Sequence, residues 1–121
     1  MSRDADQRFA DILAAIERCR RYRDHLDDSD ESIAAMAYDA ILRNLAVIGE
    51  AVRTLPEETK AAEPTTPWAS VAGLRNIVIH EYFRVDSDLI ADIVANELQP
   101  LADAIGRLTD RPGGRLDEDS P

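Results

Sequence analysis

The chain has 121 residues, of which 45% are hydrophobic and 31% charged, and its formal net charge is -10 at pH 7. This length suits one domain with its own core, and the composition excludes a chain that is disordered overall. The negative charge works against non-specific binding to nucleic acid, so any contact with RNA or DNA must be local.

The start of the chain and its cysteine content predict a compartment. Acidic residues stand where a secretory signal would have a basic cap and an apolar stretch, and no unbroken apolar run approaches the roughly 20 residues of a membrane-spanning helix. A single cysteine, Cys19, cannot form an internal disulfide. We therefore expect a cytoplasmic protein that does not enter a membrane.

Apolar residues recur at intervals of three and four in the first half of the chain, which predicts two amphipathic helices. The first covers roughly residues 4–26. The second is capped by Ser29 or Asp30 and continues to Pro56, and its broad apolar face could also accept a second subunit. The following stretch, PEETKAAEPTTPW, contains three prolines and is predicted to be a loop.

The second half contains an ambiguous segment and a further helix. Residues 68–82 could hold a buried strand at NIVI, but the preceding SVAGLR extends a helical pattern, so we predict a helix. The last helix is predicted to start at Asp86, which can cap it, and to kink or break at Pro100. Residues 112–121 have too little apolar content to pack and predict a flexible acidic tail.

These elements predict the fold class. Residues 1–111 are expected to form one all-α domain, an up-down bundle of four to five helices.

The segment LRNIVIHEYF, residues 74–83, places Arg75, Asn76, His80 and Tyr82 around an apolar centre. On a regular helix Arg75 and His80 lie about 140° apart, so one straight helix cannot aim all four side chains at one point. Either the helix ends near His80 or a second subunit supplies the missing face. The spacing therefore hints at a dimer.

The residue types in this segment suit cleavage of a phosphodiester. Histidine exchanges a proton near neutral pH, arginine binds phosphate and offsets its developing charge, and asparagine orients a hydroxyl or the imidazole. A metal site has little support, since His25 and His80 are far apart and no Cys/His cluster exists. A structural hydrogen-bond network is the commoner role for such a histidine, and spacing alone does not decide between the two roles.

RNIVIHEY resembles the Arg-x4-His-x-Tyr motif of HepT-like toxins, a branch of the HEPN superfamily of helical ribonucleases. RNLAVIGEAVRTLPEE before the loop, PWASVAGLRN before the motif and HEYFRVDSDLIADIV after it also resemble the order of elements in that family. The likeness covers residues 38–101. It implies a homodimeric RNase toxin that needs neither metal nor cofactor and whose two motifs meet at the subunit interface.

The resemblance also implies a regulatory partner. In that family the toxin of a type VII toxin-antitoxin system is neutralised by an MntA-like nucleotidyltransferase antitoxin, which transfers AMP to the motif tyrosine. On this sequence the resemblance implies that Arg75 and His80 are the catalytic pair acting on RNA, that Asn76 assists, and that Tyr82 is modified. The alternative is a non-catalytic helical module that binds a nucleotidyltransferase or a nucleotide without cutting RNA.

RCRRYR, residues 18–23, is the dense positive patch of this acidic chain. A solvated helix end, where cations complement the helix dipole, is the favoured interpretation. The functional alternative is contact with an RNA backbone through Arg20, Arg21 and Arg23, with Tyr22 available to stack on a base.

Two further positions have predicted structural roles. Gly49 would permit close approach of another helix, and Glu50 is expected to pair with an arginine, either across an interface or on its own helix. Trp68 is expected to anchor the third helix, and Cys19 to pack in the core.

Overall fold

A computed structural model describes residues 3–76 and 87–110, and every regular element in those ranges is helical. The helices, in chain order, are α1 (Arg3–Arg23), α2 (Glu31–Arg53), α3 (Glu57–Ala61), α4 (Trp68–Ala72), α5 (Ser87–Asp92) and α6 (Leu98–Asp110), with a π-helical turn at Ile93–Glu97 between the last two. The predicted all-α fold is confirmed.

The start of α2 follows from its capping residue. The Asp30 carboxylate accepts hydrogen bonds from the backbone N–H groups of Ser32, at 2.9 Å, and Ile33, at 3.4 Å, which satisfies donors that the first helical turn leaves free. α1 ends at Arg23, before the predicted boundary at residue 26, and the chain then turns through residues 24–27. In that turn the His25 N–H donates to the Tyr22 carbonyl at 2.9 Å.

The core lies between α1, α2 and the helices that follow residue 87. Its large side chains with less than 2% exposure are Phe9, Ile12, Ile16, Ile41, Leu42, Leu45, Ile48, Ile90, Leu98, Leu101, Ile105 and Leu108. Burying one such side chain stabilises the fold by about 1.5–3 kcal/mol before the loss of conformational entropy is counted. Cys19 is fully buried among them, as expected.

α2 is long and apolar enough to cross a membrane by length and composition, with a mean hydropathy of 1.2 over 18 residues. Packing accounts for part of that composition, because eight residues of α2 are buried in the bundle. α2 packs mainly against α1 and α4. A core helix meets the same length and hydropathy criteria as a spanning one.

The predicted loop after Pro56 is partly wrong, because α3 lies within it. Pro56 precedes the helix with φ of -59°, and its missing N–H is no loss at a helix start. Glu57 and Glu58 complement the dipole at the N-terminus of α3, and Lys60 complements it at the C-terminus. These local preferences outweigh the three prolines around them.

Pro100 does not break the last helix, since α6 continues through it to Asp110. The irregularity lies immediately upstream, in the π-helical turn Ile93–Glu97. Proline has no N–H for the carbonyl four residues earlier, that of Asn96, and its ring crowds that carbonyl. A π-helical turn changes the backbone at that carbonyl, so in place of the kink or break predicted at Pro100 the structure has a π-helical turn just before it.

Some predictions fall on residues outside the described ranges. These are the cap at Asp86, the tail at residues 112–121, and the segment 77–86, which contains His80 and Tyr82.

Candidate functional site

The described part of the motif begins where α4 ends at Ala72. Gly73 forms a turn, residues 74–76 are helical, and the Asn76 N–H donates to the Gly73 carbonyl at 3.0 Å. Leu74 is buried, whereas Arg75 and Asn76 are exposed. Burial of Leu74 therefore orients this turn so that Arg75 and Asn76 face solvent.

Gly49 of α2 lies directly against the backbone that carries Arg75. A Cβ atom at position 49 would be 2.9 Å from the Arg75 backbone nitrogen, 3.1 Å from the Ala72 carbonyl oxygen and 3.2 Å from the Arg75 Cβ. Distances below 3.0 Å to backbone atoms are not tolerated, so the observed approach requires glycine. The predicted role of Gly49 in close helix approach is confirmed.

Glu50, the residue after Gly49 in α2, forms an ion pair with Arg75. It accepts hydrogen bonds from Arg53, Nη2 to Oε1 at 2.6 Å and Nε to Oε2 at 3.2 Å, and its Oε2 lies 3.3 Å from the Arg75 Nε. The hydrogen bond from Arg53, assisted by the charges of Arg53 and Arg75, holds the pKa of Glu50 below its usual value. The same hydrogen bond raises the pKa of Arg53.

Sequence reasoning anticipated the pairing of Glu50 with an arginine of its own helix but missed its contact with Arg75. Glu50 and Arg53 are three residues apart on one helix, a spacing that predicts contact. Arg75 lies on a different element, and its pairing depends on how that element packs on Gly49. A single sequence carries no local signal for such a contact.

The structure describes two of the four predicted motif residues. Arg75 and Asn76 are on the surface, side by side, whereas His80 and Tyr82 lie outside the described residues. Within residues 3–76 and 87–110, no group of three His, Cys, Asp or Glu side chains could hold a metal ion.

The three candidate RNA-binding arginines lie at the C-terminal end of α1. The Arg20 Nη2 donates to the Gln99 Oε1 of α6 at 2.6 Å, and the Arg21 guanidinium lies 5.9 Å from the centroid of the Tyr22 ring. Arg23 is in the same last turn, where a cation complements the helix dipole. Arg20 therefore bridges two helices, and Arg21 stacks beside the one aromatic ring of the patch.

A cleft of about 550 Å³ lies between α1 and α2, beside this patch. Its lining residues are Arg18, Tyr22, Asp39, Ala40, Arg43, Asn44 and Val47. Arg18 Nη1 donates to the Asn44 Oδ1 at 3.3 Å, and Asn44 Nδ2 donates to the Ala40 carbonyl at 2.7 Å. Sequence reasoning missed this cleft, because only the packing of α1 on α2 brings Arg18 and Arg43 together.

One family model of known proteins matches most of the chain. The family model described as Ribonuclease HepT-like matches residues 12–108, a range that includes Gly49, Glu50 and the whole of the Arg75 to Tyr82 motif. No solved structure gives a significant match.

Several curated relatives carry ribonuclease names. The chain is 30% identical over 101 residues to a protein of Thermococcus cleftensis named "Probable ribonuclease HepT", with 84% of this chain and 92% of the relative covered. It is 32% identical over 96 residues to a Methanocaldococcus jannaschii protein named "Putative RNase", with 79% and 88% covered. A second protein of that organism, named "Gamma-glutamylcyclotransferase and putative RNase", is 30% identical over 105 residues, 87% of this chain.

The chain spans about half the length of three of the curated relatives it matches, at 47%, 49% and 55% of their lengths. The match to the family model runs from the middle of α1 to the last turn of α6, and 92% of the relative from Thermococcus cleftensis is covered. The chain belongs to the Ribonuclease HepT-like family.

Proposed function

We propose that this protein is a ribonuclease that cleaves RNA without a metal ion, with Arg75 and His80 as its catalytic pair. The observation that carries the proposal is the family match over residues 12–108, which includes both residues. The position of Arg75 supports it, since the side chain is 45% exposed and therefore accessible to a phosphate.

Each motif residue has a role in this reaction. His80 activates the ribose 2'-hydroxyl or protonates the leaving oxygen, because an imidazole exchanges protons near neutral pH. Arg75 stabilises the negative charge of the phosphorane-like transition state. Asn76, adjacent to Arg75, orients the hydroxyl or the imidazole.

The proposed enzyme is a homodimer whose two motifs meet at the subunit interface. On a regular helix Arg75 and His80 point about 140° apart, and a second copy would supply the face that one straight helix lacks. The exposed apolar side chains of α2 support this proposal, because Ile33 is 38%, Met36 63% and Val47 41% exposed. Apolar side chains exposed along one helix are a typical surface for a partner subunit.

We further propose that the protein is the toxin of a cytoplasmic toxin-antitoxin pair and that an MntA-like nucleotidyltransferase inactivates it by AMP transfer to Tyr82. On a regular helix positions 75 and 82 nearly eclipse, and an AMP group on Tyr82 would then bring a phosphate close to Arg75. That phosphate would compete with RNA for the guanidinium, so inhibition would not require unfolding.

A cleavage assay on labelled RNA in the presence of a metal chelator tests the ribonuclease proposal. We expect cleavage by the wild type, and a loss of roughly 100-fold or more in His80→Ala and in Arg75→Ala with an unchanged helical circular dichroism spectrum. Unchanged cleavage by His80→Ala would rule out the catalytic assignment.

A second experiment tests the regulation. Intact mass and peptide mapping after coexpression with an active nucleotidyltransferase should show AMP on the peptide that contains Tyr82, and no addition with an inactive partner. Absence of both the addition and toxicity would favour the alternative, a non-catalytic module that binds the partner or a nucleotide. The net charge of -10 is the observation that favours this alternative.

A further inference from the structure

We infer that Glu50 is a positioning residue for the proposed ribonuclease reaction, holding the Arg75 guanidinium by its Nε so that the two Nη nitrogens are presented to the RNA phosphate. This inference rests on the proposed function. It assigns to Glu50 an effect on catalysis that acts through Arg75, with no contact between Glu50 and the substrate.

Glu50 is itself held by Arg53. The two hydrogen bonds from Arg53, at 2.6 Å to Oε1 and 3.2 Å to Oε2, fix the plane of the carboxylate as a paired arginine-carboxylate contact does. The fixed Oε2 lies 3.3 Å from the Arg75 Nε. An ion pair at Nε engages the inner part of the guanidinium and leaves its two terminal nitrogens for phosphate oxygens.

The backbone of Arg75 is positioned from the same stretch of α2. Gly49 allows the backbone nitrogen of Arg75 to lie so close to α2 that a Cβ would approach it to 2.9 Å. Residues 49 and 50 thus contact the two ends of Arg75, one at the main chain and the other at the guanidinium. A long side chain that is oriented before substrate binds loses less entropy in the reaction, and this raises the rate.

Stability alone does not explain the acidic residue at this position. The side chains of Glu50, Arg53 and Arg75 are 43%, 62% and 45% exposed, and ion pairs this exposed contribute little to folding. A lone carboxylate next to a phosphate site would repel RNA. Here two arginines outweigh it and leave the cluster with a formal charge of +1 on a chain of net charge -10.

The protonation state of Glu50 is constant under assay conditions. The hydrogen bond from Arg53 and the two nearby positive charges hold the pKa of Glu50 below its ordinary value of 4.5. The carboxylate is therefore ionised near neutral pH, and the rate of the wild type should not follow its titration. Any pH dependence between pH 5 and 8 would come from another group, such as His80.

Glu50→Gln, compared with Glu57→Gln, tests the inference. Glutamine keeps the size and one acceptor oxygen of Glu50 but removes the charge that attracts Arg75. Glu57 is a matched control, since it also forms an ion pair with a cation three residues later, Lys60 at 3.2 Å, on α3. For Glu50→Gln we expect a loss of about tenfold in kcat, a KM within about twofold and a Tm equal to that of Glu57→Gln.

The other outcomes overturn the inference. If Glu50 acted only through its charge, its removal would strengthen RNA binding, so KM would fall while kcat stayed constant. A purely structural role would lower Tm and the active fraction together. Arg75→Lys removes the Nε group that Glu50 contacts. In this background Glu50→Gln should lower kcat by less than about twofold, because the two residues act as one unit. A further loss of about tenfold in kcat would show that Glu50 acts independently of Arg75.

Failure of the inference is distinguishable from failure of the proposed function. If the wild type and His80→Ala both leave RNA intact, the ribonuclease proposal fails and the role of Glu50 fails with it. If the wild type cleaves RNA, His80→Ala does not, and Glu50→Gln equals the wild type, only the inference about Glu50 is overturned.

Discussion

A Cβ atom on Gly49 would lie 2.9 Å from the backbone nitrogen of Arg75, so these two residues fix the distance between α2 and the motif. Gly49→Ala should therefore displace the segment around Arg75. Overpacking of this kind costs roughly 1–3 kcal/mol, which exceeds the gain of about 1 kcal/mol in helix propensity. We expect a lower free energy of unfolding in urea and slower RNA cleavage.

Gly106→Ala is the control for this substitution. Gly106 lies inside α6, and a Cβ there would meet no atom within 4 Å. The same chemical change should raise the free energy of unfolding by about 0.5–1 kcal/mol, because only the helix propensity changes. If Gly49→Ala stabilised the protein as much as Gly106→Ala does, the close approach at Arg75 would not constrain the fold.

A buried carboxylate gives a second stability prediction. The Glu63 side chain is 7% exposed, and its Oε1 accepts a hydrogen bond from the Arg107 Nε at 2.6 Å, which ties the segment after α3 to α6. Arg107→Ala removes this partner from a buried charged group, so the free energy of unfolding should fall by about 1–3 kcal/mol. Chemical denaturation of the wild type and Arg107→Ala at pH 7 measures this difference in the free energy of unfolding.

The exposed pair of Glu57 and Lys60 is the comparison for that prediction. The Glu57 side chain is 93% exposed, and solvent screens its attraction to Lys60. Glu57→Ala should lower the free energy of unfolding by no more than about 0.5 kcal/mol, from the lost helix-dipole contribution and the screened ion pair. If Glu57→Ala and Arg107→Ala lowered the free energy of unfolding equally, the burial of Glu63 would not determine the strength of its ion pair with Arg107.

The parts of the fold that local sequence encodes were predictable. The cap at Asp30 uses the side chain of one residue and two backbone groups close by, and the apolar stripe of α2 follows from the helical repeat. The kink or break predicted at Pro100 is wrong, since the irregularity is a π-helical turn upstream of it; the pattern identifies the proline but not the side of it on which the backbone adjusts. α3 was missed because prolines at its edges suggested a loop.

The candidate site was predictable only as a set of residue types. The offsets of Arg75 and Asn76 are visible in the sequence, and so is a Gly49-Glu50 pair on an apolar helix face. Their contact is a property of tertiary packing between two elements, as is the bridge from Arg20 to Gln99. Contacts between residues far apart in the chain have no periodic signature in a single sequence.

Cys19 gives a prediction about pH. Burial raises the pKa of its thiol from 9.0 to about 12, and the charge of Arg18 opposes this only in part. The unfolded chain loses the thiol proton first, so stability is fully present below pH 9 and falls as pH rises towards 12, by at most about 1.4 kcal/mol per pH unit. The difference between wild type and Cys19→Ala in urea denaturation across this range isolates the effect.

The same burial predicts the reactivity of Cys19. With almost no thiolate and no exposed surface, the folded protein should react with a thiol reagent at pH 8 only as fast as it opens, whereas the urea-unfolded chain should react at once. Rapid labelling of the folded protein would show that the helices around Cys19 open far more readily than their packing implies.

The salt dependence of RNA binding distinguishes the two possible roles of the arginines at the end of α1. Arg21 stacks on Tyr22 at 5.9 Å, and Arg20 is bonded to Gln99, so Arg21→Gln changes the charge without breaking the bridge between α1 and α6. If the patch contacts an RNA backbone, Arg21→Gln should weaken binding and reduce the slope of log K against log salt by about 0.7. Arg8→Gln, at the other end of α1, where Arg8 bonds Thr54, is the control of equal charge. If the slope of log K against log salt changes equally in both variants, Arg21 does not contact RNA specifically. Its role is then with the helix dipole, and Arg21→Gln should cause only a small loss of stability.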